Sequence, residues 1–328
     1  MRAPLFWSRP AGLAARLLWP LAQIWIFFTR RRLANGPWVR ARVPVICVGN
    51  INAGGTGKTP GVIALIAILT KMGRNPHVIS RGYGGTETGP LKVNERIHDA
   101  AMVGDEPLEI TAFGPCWIAR DRVAGVKAAV AAGADVIILD DGFQNPALAK
   151  DLSIVVIDAE VGFGNGRVIP AGPLREPLSD GLARSDVILT LGNASAQENL
   201  AHTWPEIVAV TRWQAELQPL DTGMDWSQTR VLAFAGIGRP GKFFATLSAL
   251  GANVVATRAF PDHAPYTNTI LRRLKTEANA KSAQLVTTEK DMARLPKHFK
   301  PEVLALPVRL KFTDQDAVIE RLKGLWAP

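Results

Sequence analysis

Cysteine is scarce in this 328-residue sequence, which has only Cys47 and Cys116, far apart in the chain. This scarcity argues against a disulfide framework and against a cysteine-based metal site, so a reducing compartment is expected. Internal repeats and low-complexity blocks are also lacking. Hydrophobic residues make up 47% of the chain and charged residues 20%. Such a composition excludes a disordered or fibrous chain, and the length allows two domains.

Acidic residues are absent from residues 1–42, which hold eight arginines and no lysine. The whole chain has a formal net charge of +9, but outside this segment 30 basic residues stand against 29 acidic ones. A nearly neutral body argues against a broad surface for nucleic-acid phosphates. The sequence therefore predicts no nucleic-acid partner, and its basic character belongs to the N-terminus.

A long uninterrupted apolar run is lacking as well. The apolar stretch over residues 11–28 is 18 residues long and contains an arginine, a proline and a glutamine, so it lies at the lower limit for crossing a bilayer. Tryptophans surround it and three arginines follow it, an arrangement that suits a headgroup region with anionic lipid. We expect a retained, membrane-associated helix within residues 1–42, with the body on the cytoplasmic side. A helix packed on the body is the alternative.

Beyond residue 42, short apolar runs alternate with helical patterns, which is typical of α/β domains with a mainly parallel sheet covered on both faces. Strands are predicted over residues 43–48, 77–80, 116–119, 136–139, 154–157, 187–191 and 207–213, and helices over 59–72 and 121–132. A polar stretch over 214–229 precedes a second series, with strands at 231–235, 254–259 and 285–288 and helices at 242–250 and 268–278. The predicted divisions are an N-terminal segment (1–42), a core (43–225) and a smaller C-terminal α/β domain (226–328).

The clearest chemical motif is GNINAGGTGKT at residues 49–59, between the first predicted strand and the first predicted helix. Small residues let backbone N–H groups surround phosphate oxygens at a helix N-terminus, which indicates a P-loop NTPase-type core. Lys58 would reach the β- and γ-phosphates, and Thr59 would bind Mg²⁺. The strict pattern has glycine where this chain has Asn52. The predicted nucleotide-binding residues are Asn52, Ala53, Gly54, Gly55, Thr56, Gly57, Lys58 and Thr59.

Two acidic pairs accompany this motif. Asp140 and Asp141 directly follow four apolar residues, as in a strand whose acid holds the metal of a P-loop enzyme. Asp105 and Glu106 lie in a loop bounded by glycine and proline. Alone, either pair would serve as a strand-ending turn or a helix cap. Beside a P-loop, they predict a metal site formed by Thr59, Asp140, Asp141 and Glu106.

Other nucleotide-binding classes fit less well. A regulatory GTPase should carry Asn-Lys-x-Asp, and residues 288–291 approach it with the wrong spacing. Partition-type membrane ATPases have a lysine at the position of Ala53. Gly236, Gly238 and Gly241 match a dinucleotide fingerprint by pattern alone, but Pro240 disfavours that turn, and a plain strand-to-helix connection is expected.

Eight motifs then occur in a recognisable order: GNINAGGTGKTP (49–60), SRGYGG (80–85), VGDEP (103–107), ILDDGFQ (138–144), PAGPLREP (170–177), FAGIGRP (234–240), FPDH (260–263) and TTEKD (287–291). Over essentially the whole chain they resemble the tetraacyldisaccharide 4'-kinase family of Gram-negative bacteria. The resemblance implies ATP-dependent phosphorylation of the 4'-hydroxyl of tetraacyldisaccharide 1-phosphate, an acylated glucosamine disaccharide. It places the reaction at the cytoplasmic face of the inner membrane.

The resemblance also implies residue roles. Lys58 would bind phosphate, and Asp105 would act as general base for the sugar hydroxyl with His263 as its partner. Arg175 would contact the acceptor phosphate or the transferring phosphoryl group. Because His263 lies in the second β/α series, the pair requires the C-terminal domain to close over ATP.

Three further positions carry weaker signals. Arg81 is a candidate for a phosphate contact, and Tyr83 for the nucleotide or the sugar. The family commonly has histidine where this chain has Asn145, which cannot titrate near neutrality, so a positioning role is expected there.

Two alternative functions remain open from the sequence. One is a membrane-recruited P-loop ATPase switch, which Ala53 disfavours. The other is a P-loop kinase for a different acceptor, which only acceptor chemistry separates from the leading hypothesis. No obligatory protein partner is expected for the leading hypothesis, whereas the switch would position other proteins.

Overall fold

The structure, a computed structural model, describes residues 4–36, 39–262 and 264–326. Its strands are β1 (Val45–Gly49), β2 (Pro76–Ser80), β3 (Leu91–Lys92), β4 (Cys116–Ile118), β5 (Val136–Asp140), β6 (Leu152–Asp158), β7 (Val187–Leu191), β8 (Thr211–Pro219), β9 (Arg230–Ala235), β10 (Asn253–Ala259), β11 (Gln284–Thr288), β12 (Val303–Leu306) and β13 (Val308–Phe312). Its α-helices are α1 (Leu13–Leu17), α2 (Trp19–Ala34), α3 (Lys58–Lys71), α4 (Ala100–Val103), α5 (Asp105–Thr111), α6 (Arg122–Ala131), α7 (Leu178–Ala183), α8 (Ala194–Thr203), α9 (Pro240–Ala249), α10 (Asn268–Ala280), α11 (Glu289–Arg294) and α12 (Gln315–Lys323).

The large sheet has the strand order β13-β8-β7-β6-β1-β5-β2-β4-β3, and its neighbours are parallel except at the two edges. Along β1, Ile46 and Val48 enter one core while Val45 and Cys47 enter the other, as the two-residue period of a strand requires. Helices α3, α5 and α12 cover the first face, and α2, α6, α7 and α8 cover the second. The predicted α/β fold with a mainly parallel sheet is therefore confirmed.

A second, four-stranded parallel sheet has the order β10-β9-β11-β12. The chain then returns to the large sheet, where β13 pairs antiparallel with β8 and Phe312 lies opposite Ala215. Phe312, Val318 and Leu322 lie in a core of the large sheet. The predicted division at residue 226 stays a prediction. It assigned β13 and α12 to the C-terminal domain, whereas in the structure they pack on the large sheet.

Two predicted segments between the sheets are wrong in detail. Residues 205–209 form a 3₁₀ turn, and the strand predicted over 207–213 begins only at Thr211. The turn buries Ile207 in the second core. An apolar residue at this position is therefore compatible with a buried turn as well as with a strand. The same strand, β8, continues to Pro219 through residues predicted to be irregular. Its far end is exposed near the sheet edge, which explains the polar sequence there.

The N-terminal helices pack on the body with one side and leave the other uncovered. Ala15 and Ala22 are buried, Ala22 within the second core, whereas Leu13, Leu17 and Phe28 are exposed. Within the described residues, no helix is both long enough and apolar enough to cross a membrane. The helices therefore contact the body and also present apolar side chains outward, and their association with a membrane stays a prediction.

Candidate active site

The P-loop lies between β1 and α3, where its glycines allow backbone that other residues disfavour. Gly57 has φ +88°, and a Cβ there would approach Leu191 Cδ1 to 2.3 Å. The side chain of Asn50 donates hydrogen bonds to the Gly54 carbonyl (3.0 Å) and to Thr56 Oγ1 (3.1 Å). Helix α3 begins directly at Lys58, so its unpaired N–H groups face the loop. This is the geometry of a phosphate-binding site.

Asn52 explains the departure from the strict P-loop pattern. Its side chain is buried and donates a hydrogen bond to the Gly162 carbonyl (2.8 Å). The next residue, Ala53, donates its backbone N–H to Pro173 (2.7 Å), and Arg175 donates its own N–H to Ile51 (2.7 Å). The side-chain amide of Asn52 therefore holds the P-loop to the body. That the backbone of Asn52 contacts the nucleotide stays a prediction.

Lys58, Asp141 and Arg175 form the charged centre of the site. The Arg175 guanidinium donates to both carboxylate oxygens of Asp141, at 2.8 and 3.2 Å, and Lys58 Nζ lies 3.8 Å from Asp141 Oδ1. Burial opposes ionisation of Asp141, but the charges of Lys58 and Arg175 outweigh it and hold the pKa of that carboxyl below its usual range. Asp141 also has φ 51°, a left-handed conformation that turns it away from the direction of β5.

Asp140, the last residue of β5, lies in a different environment. It is buried, accepts a hydrogen bond from Ser80 Oγ (2.9 Å), and its Oδ1 has no hydrogen-bond partner among the described residues. Burial, followed by the charge of Glu106, raises the pKa of Asp140. The buried Arg122 fixes the backbone here through the carbonyls of Ile79 (2.6 Å) and Asp140 (2.8 Å).

The second acidic pair begins helix α5. Gly104 precedes it with φ +87°, and a Cβ there would approach the Tyr83 carbonyl to 2.6 Å. Asp105 is buried, and its Oδ2 lies 3.9 Å from Arg294 Nε. Glu106 Oε1 lies 3.5 Å from Lys290 Nζ. Both cations come from α11, which connects β11 to β12 of the second sheet, so this part of the site joins the two sheets.

The predicted metal residues fit Mg²⁺ only together with a nucleotide. In the described part of the chain, no three His, Cys, Asp or Glu side chains converge so as to hold an ion alone. Mg²⁺ in kinases is bound by one or two carboxylates together with substrate phosphates and water. The unpartnered, buried Oδ1 of Asp140 and the hydroxyl of Thr59 at the start of α3 match that demand.

Other predicted residues lie outside this centre or serve another purpose. His263 is not among the described residues, so its pairing with Asp105 stays a prediction. Arg81 and Tyr83 are exposed, Tyr83 by 78%. Asn145 Oδ1 accepts the backbone N–H of Ala147 (2.8 Å) within its own turn, which gives it a local structural role.

Sequence reasoning missed a buried group beneath the P-loop. Glu176 is buried, pairs with Arg184, and accepts a hydrogen bond from Gln144 Nε2 (2.9 Å). Gln144 also donates to the Asn50 carbonyl (2.8 Å) and so joins this group to the P-loop. Glu176 and Gln144 belong to motifs PAGPLREP and ILDDGFQ, which were the available signal. Lys290 likewise belongs to TTEKD, whereas nothing in the sequence marked Arg294.

Similarity to known proteins shows the family of this chain. The family model described as tetraacyldisaccharide-1-P 4'-kinase matches residues 14–326. The chain belongs to this family. Curated proteins named tetraacyldisaccharide 4'-kinase from Jannaschia sp. (strain CCS1) and Dinoroseobacter shibae are each 55% identical over 99% of this chain, which covers 100% and 98% of their lengths.

A solved structure of the same family supports the assignment. LpxK from Aquifex aeolicus, crystallised in complex with ATP, superposes with a TM-score of 0.79 at 26% identity, covering 96% of this chain and all of that one. Membership of the tetraacyldisaccharide-1-P 4'-kinase family confirms the predicted enzyme class, an ATP-dependent kinase of a lipid A precursor. The alternatives of a P-loop switch and of a different acceptor lose their basis.

Proposed function

We propose that Lys58, Asp141, Arg175 and Asp105 carry out transfer of the γ-phosphoryl group of ATP to the 4'-hydroxyl of membrane-held tetraacyldisaccharide 1-phosphate. The observation that carries this proposal is the contact of Lys58 and Arg175 with one carboxylate beside the P-loop. Two cations and a helix N-terminus then face the position of the phosphates. Phosphoryl transfer needs mainly such positioning and charge stabilisation.

The nucleotide half of the site is built from the large sheet alone. Backbone N–H groups of residues 54–59 would surround the phosphates, since that of Ala53 is already bonded to Pro173, and Lys58 would contact the β- and γ-phosphate oxygens. Thr59 and Asp140 would hold Mg²⁺, with Asp141 or Glu106 acting directly or through water. When bound, the ion supplies positive charge to the β- and γ-phosphates.

Arg175 has a planar fork that can bind phosphate as it binds Asp141 here. A guanidinium makes two parallel hydrogen bonds to a phosphoryl group. Arg175 therefore contacts the transferring phosphoryl group or the 1-phosphate of the acceptor while Lys58 continues to neutralise Asp141.

Asp105 accepts the proton of the 4'-hydroxyl as that oxygen attacks the γ-phosphorus. The carboxylate is buried at the start of α5, which limits the directions in which it can face. His263, four positions after the last residue of β10 in the sequence, is its proposed partner, and the C-terminal domain closes over ATP to bring the two together.

The N-terminal segment is proposed to hold the enzyme at the cytoplasmic face of the inner membrane. Exposed apolar side chains on α1 and α2 include Leu13 and Leu17 at 77% each and Phe28 at 62%. The segment contains arginines and no acid, as binding to anionic lipid requires. The enzyme would then meet its acceptor, which acyl chains hold in the bilayer, at the same membrane surface.

The decisive experiment is transfer of labelled γ-phosphate from Mg·ATP to tetraacyldisaccharide 1-phosphate in detergent micelles. Wild type should form a bisphosphorylated lipid, and Lys58→Ala and Asp105→Asn should form far less while remaining folded. A folded wild type that binds ATP and labels no lipid would reject this acceptor. Full activity of Asp105→Asn would reject only the assignment of the base.

Membrane binding has its own test, with vesicles of phosphatidylglycerol and phosphatidylethanolamine. Leu17→Glu should weaken co-sedimentation about tenfold, because a charge replaces a side chain that enters the headgroup region. Val208→Glu is the matched control, since Val208 is 69% exposed but lies outside the N-terminal segment. Equal binding by the two variants would argue against this surface.

A further inference from the structure

Arg294, at the end of α11, is a buried cation that has no role in the mechanism proposed above. Its side chain is 6% exposed and pairs with the Asp291 carboxylate. It donates hydrogen bonds to the carbonyls of Gly236 (2.8 Å) and Ala264 (3.2 Å). The guanidinium also lies 5.3 Å from the centre of the Tyr266 ring. The second sheet and its loops therefore fix the plane of this guanidinium.

Asp291, the carboxylate that pairs with Arg294, is equally constrained. Asp291 is fully buried and accepts hydrogen bonds from the Gly236 N–H (3.0 Å), the Tyr266 hydroxyl (2.7 Å) and the Thr288 hydroxyl (2.7 Å). A carboxylate held by three donors cannot follow the guanidinium if it moves. Arg294 is thus an immobile charge, and a rigid neighbour is what precise placement of another group needs.

One nitrogen of Arg294 is not used by this group. Nε is buried and has no hydrogen-bond partner among the described residues, and it lies 3.9 Å from Asp105 Oδ2. Both side chains are nearly inaccessible, at 6% and 7% exposure. An attraction between opposite charges at this distance is weakly screened when water is excluded. Arg294 therefore has a buried, unsatisfied donor nitrogen beside the proposed base.

We propose that Arg294 is a positioning residue that fixes the direction of the Asp105 carboxylate toward the acceptor hydroxyl. The inference rests on the proposed function of Asp105 as the proton acceptor. Arg294 acts through Asp105 and touches neither nucleotide nor acceptor. The second sheet thereby contributes to the reaction through a side chain that no sequence motif marked, in addition to Lys290, which pairs with Glu106.

A double-mutant cycle tests this assignment with the lipid transfer assay. Arg294→Met should lower kcat about 30-fold, because small misplacements of a reacting group are costly, and should leave KM for Mg·ATP within about twofold. In the Asp105→Asn background, the same change should cost less than about threefold, since the residue through which Arg294 acts is already disabled. Arg294→Lys, which keeps the charge, should lose only about fivefold.

The matched control is Arg309→Met. Arg309 lies in β13 and pairs with Glu289 of α11, at 2.8 Å and with partial exposure. Its loss should leave kcat within about twofold of wild type. A kcat as low as that of Arg294→Met would show that any damage to α11 has this effect, and would overturn the proposal.

Further outcomes also decide the matter. Equal losses from Arg294→Met in the two backgrounds, or an unchanged kcat, would show a merely structural ion pair. If Arg294→Met does not fold, Arg294→Lys is compared in the same two backgrounds, and equal losses there overturn the proposal. Lipid product from wild type decides the proposed function separately, because the inference is read only from ratios between variants.

Discussion

The two halves of the candidate site differ in where their charges come from. Lys58, Asp141 and Arg175 all extend from the large sheet and its loops, and each contacts another without help from the second sheet. Asp105, by contrast, lies 3.9 Å from Arg294, a residue of the helix between β11 and β12 of the second sheet. The ion pairs of the nucleotide half are all formed by residues of the large sheet and its loops, whereas the proton-accepting half depends on packing between the two sheets.

Neighbouring carboxylates illustrate the same difference at short range. Asp141 contacts two cations, and their charges outweigh burial and lower its pKa. Asp140, one residue earlier, is buried with a single hydroxyl donor, and burial together with Glu106 raises its pKa. Asp141 is compensated by two protein cations in contact with it, whereas the charge of Lys58 does not outweigh the burial of Asp140, which a bound cation would compensate further.

The strongest disruption of the nucleotide half is expected from Lys58→Met. Removal of the cation beside the phosphates should lower kcat about 10³-fold, as for other groups that stabilise charge in the transition state. Labelled-phosphate transfer measures the loss. Lys71→Met, an exposed position at the other end of α3, should remain near wild type. A comparable loss in that control would mean that the helix, rather than the charge, is responsible.

Arg175→Met should have the next largest effect, a fall in kcat of about 10- to 100-fold. Arg175→Lys should recover only part of this, because an ammonium cannot make two parallel hydrogen bonds. Steady-state kinetics with both substrates varied will show whether acceptor or ATP is affected. Arg167→Met, exposed in the preceding loop, is the control, and full recovery by lysine would contradict a role for the planar fork.

Glu109→Gln sharpens the comparison at the junction of the sheets. Burial raises the pKa of Glu109 to about 8, and Glu289, Glu106 and Asp105 add to this while Lys290 opposes it. Between about pH 4.5 and pH 8 the unfolded carboxyl ionises while the folded one stays protonated, so stability falls by about 2–4 kcal/mol as pH rises.

The variant tests this linkage because an amide does not titrate. Glu109→Gln should flatten the fall in the free energy of unfolding, measured by denaturant titration at pH 5 and pH 8. Glu198→Gln, for which no such burial applies on α8, should keep the slope of wild type. An unchanged slope in Glu109→Gln would contradict the assigned cause.

Asn145→Ala should have the smallest effect. Its side-chain oxygen accepts only a local backbone N–H, so we expect a loss of about 0.5–1 kcal/mol in stability and less than about twofold in kcat. A large fall in kcat with unchanged thermal stability would instead assign it a role in the reaction.

The sequence predicted the nucleotide half because its geometry is local. A strand, a glycine-rich loop and a helix place Lys58 and Thr59, and β5 lies directly beside β1, so Asp140 comes to the same sheet end. Arg294 could not be predicted, because its distance from Asp105 depends on how two sheets pack. Ile207 misled for a related reason, since a buried turn and a strand have the same apolar composition.

The pairing of β13 with β8 bears on the order in which the chain can assemble. Residues 220–307 must be synthesised before the partner of β8 exists, so during translation this edge of the large sheet stays open. Unpaired edge strands recruit other chains. A product that stops before Val308 would therefore keep every residue of the nucleotide half and still expose an unpaired strand edge, which makes residues 308–328 a safeguard against aggregation of incomplete chains.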